Sequence, residues 1–254
     1  MPGTPFTRPD YASLDLPDPP GDRPYVLMNM VMSADGKIVI EGSEAGLGSP
    51  SDQRLMRALR ANVDAVLNGA ATLRQSGASP ELDDPALEAA RLARGFTRTP
   101  LGVVLTRSGD LPLDSAFFAS DAFEAVVFAT DAMPLEQLAA LRASPRPVGV
   151  VPDSDAVRSM LEALRRDFGV RWLLCEGGGH INGYLFDAGL VDECFLTVAP
   201  RIVGGNVELT PVAAGRPASF AETWPLRLVS AVPNPATSEV YLRYRVASER
   251  GVRP

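Results

Sequence analysis

Histidine occurs once in the 254 residues and cysteine twice. A single His supports no Ser-His-Asp or Cys-His set, so triad hydrolysis has no foundation in this chain. Cys175 and Cys194 lie in apolar, strand-like runs with no CxxC or metal-ligand spacing. They are expected as buried, reduced thiols in a cytoplasmic protein, with no metal site. No run of 18 apolar residues is present, so no membrane span is expected. Basic excess is also missing: the formal net charge is −7, and a nucleic-acid binder needs a cationic face. Neither GxGxxG nor GxxxxGK[ST] occurs, which removes the P-loop and the ordinary dinucleotide fingerprint.

Proline, by contrast, is abundant at the start, with seven in the first 24 residues. Residues 1–24 therefore read as an irregular arm and not as a targeting segment, since they have no apolar core. From Tyr25 onward one composition regime continues, and we read a single domain over 25–247 and a tail over 248–254. "YVLMNMVMS" is a strand. "ADGK" supplies an Asp-Gly reversal, after which "IVI" is expected to return as a hairpin partner. Ser49 and Pro50 cap a helix, and "DAVLNGAATL" is a strand running into a turn. "RQSGASPELDDPALEAARLARG" begins as loop and ends as a helix stopped by Gly95. Strand-like "LGVVLT", "EAVVFAT", "PVGVVP", "RWLLCE" and "ECFLTVAP" follow, with helical patterns between them. The clearest spans 156–168, with Val157, Met160, Leu161, Leu164 and Phe168 on one face. This alternation predicts an α/β fold with a mostly parallel sheet covered by helices. "LRLVSAVP" and "SEVYLRYRV" predict an antiparallel hairpin at a sheet edge.

Ligands of open α/β sheets bind beyond the carboxyl ends of the strands, so the strand-end residues are the candidates. Among them "LLCEGGGHING" places Gly177, Gly178 and Gly179 between a strand and a helix. There bare backbone N–H groups and the helix dipole can face an anion such as a pyrophosphate, although a left-handed turn would account for one of the three. Thr106, Arg107 and Ser108 at another strand end suit a 2′-phosphate, and together with the glycines they point to NADPH. Glu176 ends an apolar strand, where an unpaired carboxylate is costly. Its partner is a buried cation, backbone N–H groups or a substrate's N–H edge. Asp35 is either a turn residue or part of a site. Arg60, near a helix end, either offsets the dipole or faces a substrate. His180 reads as a bystander.

"NMVMSADGKI", "LRANVDAVLNGAAT" and "LLCEGGGHINGYLFDAGLVDECFLTVAPRIVGG", in that order, resemble the pyrimidine reductase domain of riboflavin biosynthesis. The likeness covers most of residues 25–246. It is closest to the stand-alone form, since no H-x-E…P-C-x-x-C deaminase signature is present. The resemblance implies a dihydrofolate-reductase-like fold and a homodimer. It also implies NADPH-dependent reduction of a ribosylamino-pyrimidine 5′-phosphate to its ribityl product, with hydride reaching C1′ of the ring-opened imine. Carried over by position, Gly69, Thr72, Gly177, Gly178, Gly179, His180 and Ile181 would hold the cofactor. Thr106 and Arg107 would meet its ribose phosphate, with Gly46 and Ser76 as further contacts. Glu176 and Arg60 would hold the pyrimidine, Asp35 and Lys37 would line the turn beside the nicotinamide, and Asp35, Lys37 and Glu176 would be the catalytic residues. One stretch departs from the family. From Arg74 to Leu87 the chain reads "RQSGASPELDDPAL", without the usual basic residue and with Glu81, Asp83 and Asp84, which would repel a phosphate. That departure keeps two alternatives open: a dihydropterin or dihydrofolate reductase on the same scaffold, and a non-catalytic NADP-binding protein.

Overall fold

A computed structural model describes residues 9–43, 46–205, 209–213, 219–247 and 250. At its centre, β1 (Tyr25–Ser33) pairs in parallel with β6 (Trp172–Cys175) on one side and β7 (Glu193–Ala199) on the other. Beyond β6 lie β2 (Ala65–Gly69), β3 (Leu101–Thr106), β4 (Ala125–Thr130) and β5 (Val148–Val151), all parallel. Beyond β7 the antiparallel β9 (Glu239–Val246) and the edge strand β8 (Leu226–Asn234) complete a nine-stranded sheet of order β5-β4-β3-β2-β6-β1-β7-β9-β8. The expected mostly parallel α/β sheet and its C-terminal edge hairpin are therefore both present. The central strands are buried on both faces, which is why their sequences are continuous apolar runs and do not alternate.

Helix α1 (Pro50–Arg60) starts where Ser49 accepts from the Ser51 and Asp52 N–H groups and Pro50 takes the first turn. The helices α2 (Ala70–Ser76), α3 (Pro85–Ala93), α4 (Ala116–Ala119) and α5 (Leu135–Arg142) follow β2, β3 and β4. Helix α6 (Ala156–Asp167) buries Val157, Met160, Leu161 and Leu164 as its spacing predicts. Phe168 falls outside that set. The helix ends at Asp167, with Phe168 as its C-cap and the left-handed Gly169 (φ +67°) after it, and Phe168 is left 44% exposed, edge-on to Phe128. Helix α7 (Gly179–Asp187) connects β6 to β7.

The hairpin expected after Asp35-Gly36 does not form. Lys37 O accepts from Ser33 N to close the turn, but residues 37–39 belong to no strand. Both edges of β1 are already occupied by β6 and β7. Ile38 and Val39 are instead buried in the main core, and Ile38 N donates to Leu209 O. The described part of the arm, 9–24, is irregular as expected, and it is docked. Tyr11 is buried edge-on to Phe195, Asn62 donates to Tyr11 O and accepts from Leu14 N, and Trp172 Nε1 donates to Pro17 O. Arg23 closes the arm with a two-pronged ion pair to Asp192. The tail at 248–254 lies outside the described residues, Arg250 apart.

Candidate active site

Strand β6 delivers Glu176 one residue past its end, and α1 delivers Arg60 in its last turn. Helical side chains lean toward the helix N-terminus, which here means toward the carboxyl edge of the sheet. The two groups meet there. Arg60 Nε and Nη2 donate to Glu176 Oε1 and Oε2 at 2.6 and 2.7 Å, and Arg60 Nη1 donates to the Glu81 carbonyl at 2.5 Å. The two side chains are only 9% and 7% exposed. Burial, the largest influence, opposes the guanidinium's charge, but the neighbouring Glu176 carboxylate outweighs it and the net shift is upward. The partner that a strand-end carboxylate required is thus a buried cation. Among the described residues three of the five guanidinium N–H groups are used, which leaves two for another acceptor.

The three glycines next to Glu176 are glycines for different reasons. Gly177 has φ +90°, and a Cβ there would lie 2.6 Å from Met30 Sδ. At Gly179 a Cβ would lie 2.3 Å from the Thr210 carbonyl, because the 209–213 segment covers that side and Ala213 N donates to Gly179 O. Only Gly178 is open: its nearest neighbour is Thr72 Oγ1, at 3.5 Å. Gly178 is also the N-cap of α7 and supplies no side-chain cap for the first N–H groups of the helix. Gly69 packs against this turn, donating to Gly177 O at 2.6 Å.

The turn opens onto a cleft of about 670 Å³ that runs along the ends of β2, β3, β4 and β5. Gly69, Thr106, Arg107, Gly178, His180 and Ile181 line it, so six of the expected cofactor positions share one concavity. Thr72 is buried beside Gly178, and Thr106 Oγ1 accepts from Gly109 N. Gly46 and Ser76 do not line the cleft. Gly46 is exposed in a left-handed turn, and the Ser76 hydroxyl bonds back to Thr72 O. Arg107, 74% exposed, is engaged by Asp153 across the cleft at 2.9 Å. Asp153, Asp155 and Asp187 were missed by sequence reasoning. The signal for two of them lay in "PDSD", a strand end running straight into the best helical pattern of the chain.

Asp35 and Lys37 sit in the turn after β1, outside this cleft. The Asp35 carboxylate accepts from Ser33 Oγ, Val203 N and Gly204 N at 2.7, 3.0 and 2.8 Å. Those donors, the Val203 N–H foremost, hold its pKa well below the usual carboxylate range. The acids of the Arg74–Leu87 stretch are occupied as well. Asp84 caps α3, Asp83 pairs with Arg57 at 3.7 Å, and Glu81 accepts from Ser79 Oγ.

Residues 24–229 match the family model described as the RibD C-terminal domain. The chain belongs to the RibD C-terminal domain family. Relatives of this RibD domain include the 2,5-diamino-6-ribosylamino-4(3H)-pyrimidinone 5′-phosphate reductase of Methanothermobacter thermautotrophicus. It is 30% identical over 184 residues, which are 72% of this chain and 81% of that one. The reductase of the same name from Aquifex aeolicus is 30% identical over 192 residues, 73% and 80% of the two chains. A solved pyrimidine reductase-like protein of Corynebacterium diphtheriae shares the fold, with a TM-score of 0.79 at 24% identity over 89% of this chain and 93% of that one. In this RibD domain the fold thus places a buried Arg60–Glu176 pair beside the glycine turn that opens the cleft. No helix among the described residues is long and apolar enough to cross a membrane.

Proposed function

We propose that this protein is an NADPH-dependent reductase that converts the ribosylamino side chain of a pyrimidine 5′-phosphate to ribityl; its relatives are named as reductases of a ribosylamino-pyrimidinone 5′-phosphate. The observation that carries the reading is the juxtaposition at the end of β6. An uncapped helix N-terminus with one unobstructed glycine adjoins a buried Arg–Glu pair with spare N–H groups. The cleft fits a dinucleotide in the one way a backbone can show: at Gly178 there is space where any other residue would put a side chain.

In this reading the Gly178 turn and Thr72 hold the pyrophosphate, and Thr106 and Arg107 meet the adenosine ribose. Arg60 and Glu176 hold the heterocycle, Glu176 through lone pairs not used by Arg60. The nicotinamide cofactor, when bound, supplies the hydride for C1′ of the ring-opened imine. The chain's own task is to fix both ligands at one edge and to control the proton for the nitrogen. Asp35, kept ionised by three donors, holds the 33–37 turn against Val203 and Gly204. Lys37 or solvent then serves as proton source. The homodimer and cytoplasmic setting implied above belong to the same reading and are checked by sedimentation and by cell fractionation.

A second reading rests on the Arg74–Leu87 stretch. Residues 77–87 carry no Lys or Arg. Arg74 turns to Asp110, donating to its carbonyl at 2.6 Å, so no cation of this stretch is left for a substrate phosphate. That favours an unphosphorylated heterocycle such as a dihydropterin. NADPH oxidation measured with the ribosylamino-pyrimidine phosphate, with dihydrofolate and with neither separates the two. Turnover of the first alone is expected, and turnover of dihydrofolate alone would replace the first reading with the second.

A further inference from the structure

The cleft is more acidic than a site for a doubly phosphorylated ribose should be. Two cations line it, Arg74 and Arg107, against three carboxylates, Asp153, Asp155 and Asp187. Both arginines are engaged, Arg74 with Asp110 and Arg107 with Asp153. The Arg107–Asp153 contact joins the end of β3 to the segment after β5 and so passes over the end of β4, the strand between them. There Thr130 lines the cleft, and its hydroxyl is buried with no hydrogen-bond partner among the described residues. An unanswered buried hydroxyl is costly, and a bound polar ligand would relieve it. The main chain of Asp153 is anchored, because its N–H donates to Asp131 Oδ1 at 2.8 Å and it begins the 3-10 turn that leads into α6, so the carboxylate stays within side-chain reach of this corner.

We propose that Asp153 is a specificity-determining residue that limits the preference of this cleft for a 2′-phosphorylated dinucleotide. The inference rests on the dinucleotide reading of the cleft given above. A 2′-phosphate that takes Arg107 must first displace Asp153. It then shares the corner with that carboxylate, a like charge whose main chain stays anchored nearby. A 2′-hydroxyl meets neither obstacle, since it can donate to Asp153 while Arg107 stays where it is. Asp153 therefore acts against NADPH and not against NADH. Asp155, two residues along the same turn, lies nearer Arg158, at 3.9 Å, and makes no ion pair with Arg107, so its charge alone does not produce the effect.

The test is calorimetric titration of NADPH and NADH into the intact protein and into Asp153→Asn and Asp155→Asn, at low salt where an exposed pair is least screened. For Asp153→Asn, NADPH is expected to bind about fivefold more tightly, with NADH within about twofold of the parent, the size of one exposed charge pair. For Asp155→Asn both dinucleotides stay within about twofold. Equal changes for NADPH and NADH, no change for either, or an Asp155→Asn effect as large as that of Asp153→Asn would each overturn the role of Asp153. Failure of the parent protein to bind either dinucleotide would instead overturn the cofactor reading, and this inference with it.

Discussion

At the scale of single residues, the glycine run is where composition and geometry part. Three adjacent glycines read as one anion-binding device, but two of them answer to packing: Gly177 to its left-handed backbone and Met30, Gly179 to the Thr210 carbonyl. Gly178 alone faces the cleft. Gly178→Ala is therefore expected to fold with unchanged stability and to bind dinucleotide at least about tenfold more weakly, a loss of roughly 1.4 kcal/mol. Gly179→Ala should lose about 1–3 kcal/mol in urea denaturation, because a methyl group cannot share space with a backbone carbonyl. Equal stability of the two variants would contradict this division. Glu176 was legible as an acid in need of a partner, since an apolar strand ending in a carboxylate is costly in any fold. The choice of Arg60, 116 positions earlier, was not legible from charge alone, because it depends on how α1 lies on the sheet. Cys175 and Cys194 behave as the sequence suggests, free and buried, with burial pushing both thiols up to about 12.

The elements show a similar split. Helix α1, its cap, α6 and all the central strands were readable, because local signals and burial agree in them. The "IVI" segment was misread as a strand because its apolar content reports burial and not the absence of a free edge beside β1. The arm was read as irregular from its prolines, which is correct over the described residues, but its docking depends on Tyr11 finding Phe195 and Asn62. Tyr11→Ala is expected to cost about 3 kcal/mol, the order found for losing a buried aromatic ring. Tyr11→Phe should be neutral or slightly stabilising, because the Tyr11 hydroxyl is buried without a partner among the described residues. Urea midpoints of the two variants check both statements, and a Tyr11→Ala protein as stable as the parent would mean the arm is merely laid on the surface.

For the whole molecule, the C-terminal hairpin is joined to α1 through a buried polar group. Glu239 accepts from the Ser49 N–H and hydroxyl and from Tyr241, while Asp52 lies close by, hydrogen-bonded to Thr197. Burial, and to a lesser degree the charge of Glu239, push Asp52 up to about 6 from its ordinary value. A carboxyl whose folded pKa is raised stabilises the protein when protonated, and that contribution is lost as pH rises through the folded value. Asp52→Asn should therefore match the parent near pH 4 and exceed it by up to about 2–3 kcal/mol above pH 7, with the gap opening between roughly pH 4 and 6. Denaturation at both pH values checks the sign, and a variant less stable at high pH would refute it. By itself the sequence determined the elements, the class of sheet and the strand-end residues to inspect, because helix caps, turn residues and apolar periodicity act over a few neighbours. Tertiary structure alone decided which strand ends share the cleft, that Gly178 is the one unobstructed glycine of the 177–179 turn, and that Asp153 faces Arg107. Those facts follow from the β5-β4-β3-β2-β6 order and from where each helix lies, and strand order is set by the packing of distant segments, which no local window of sequence contains.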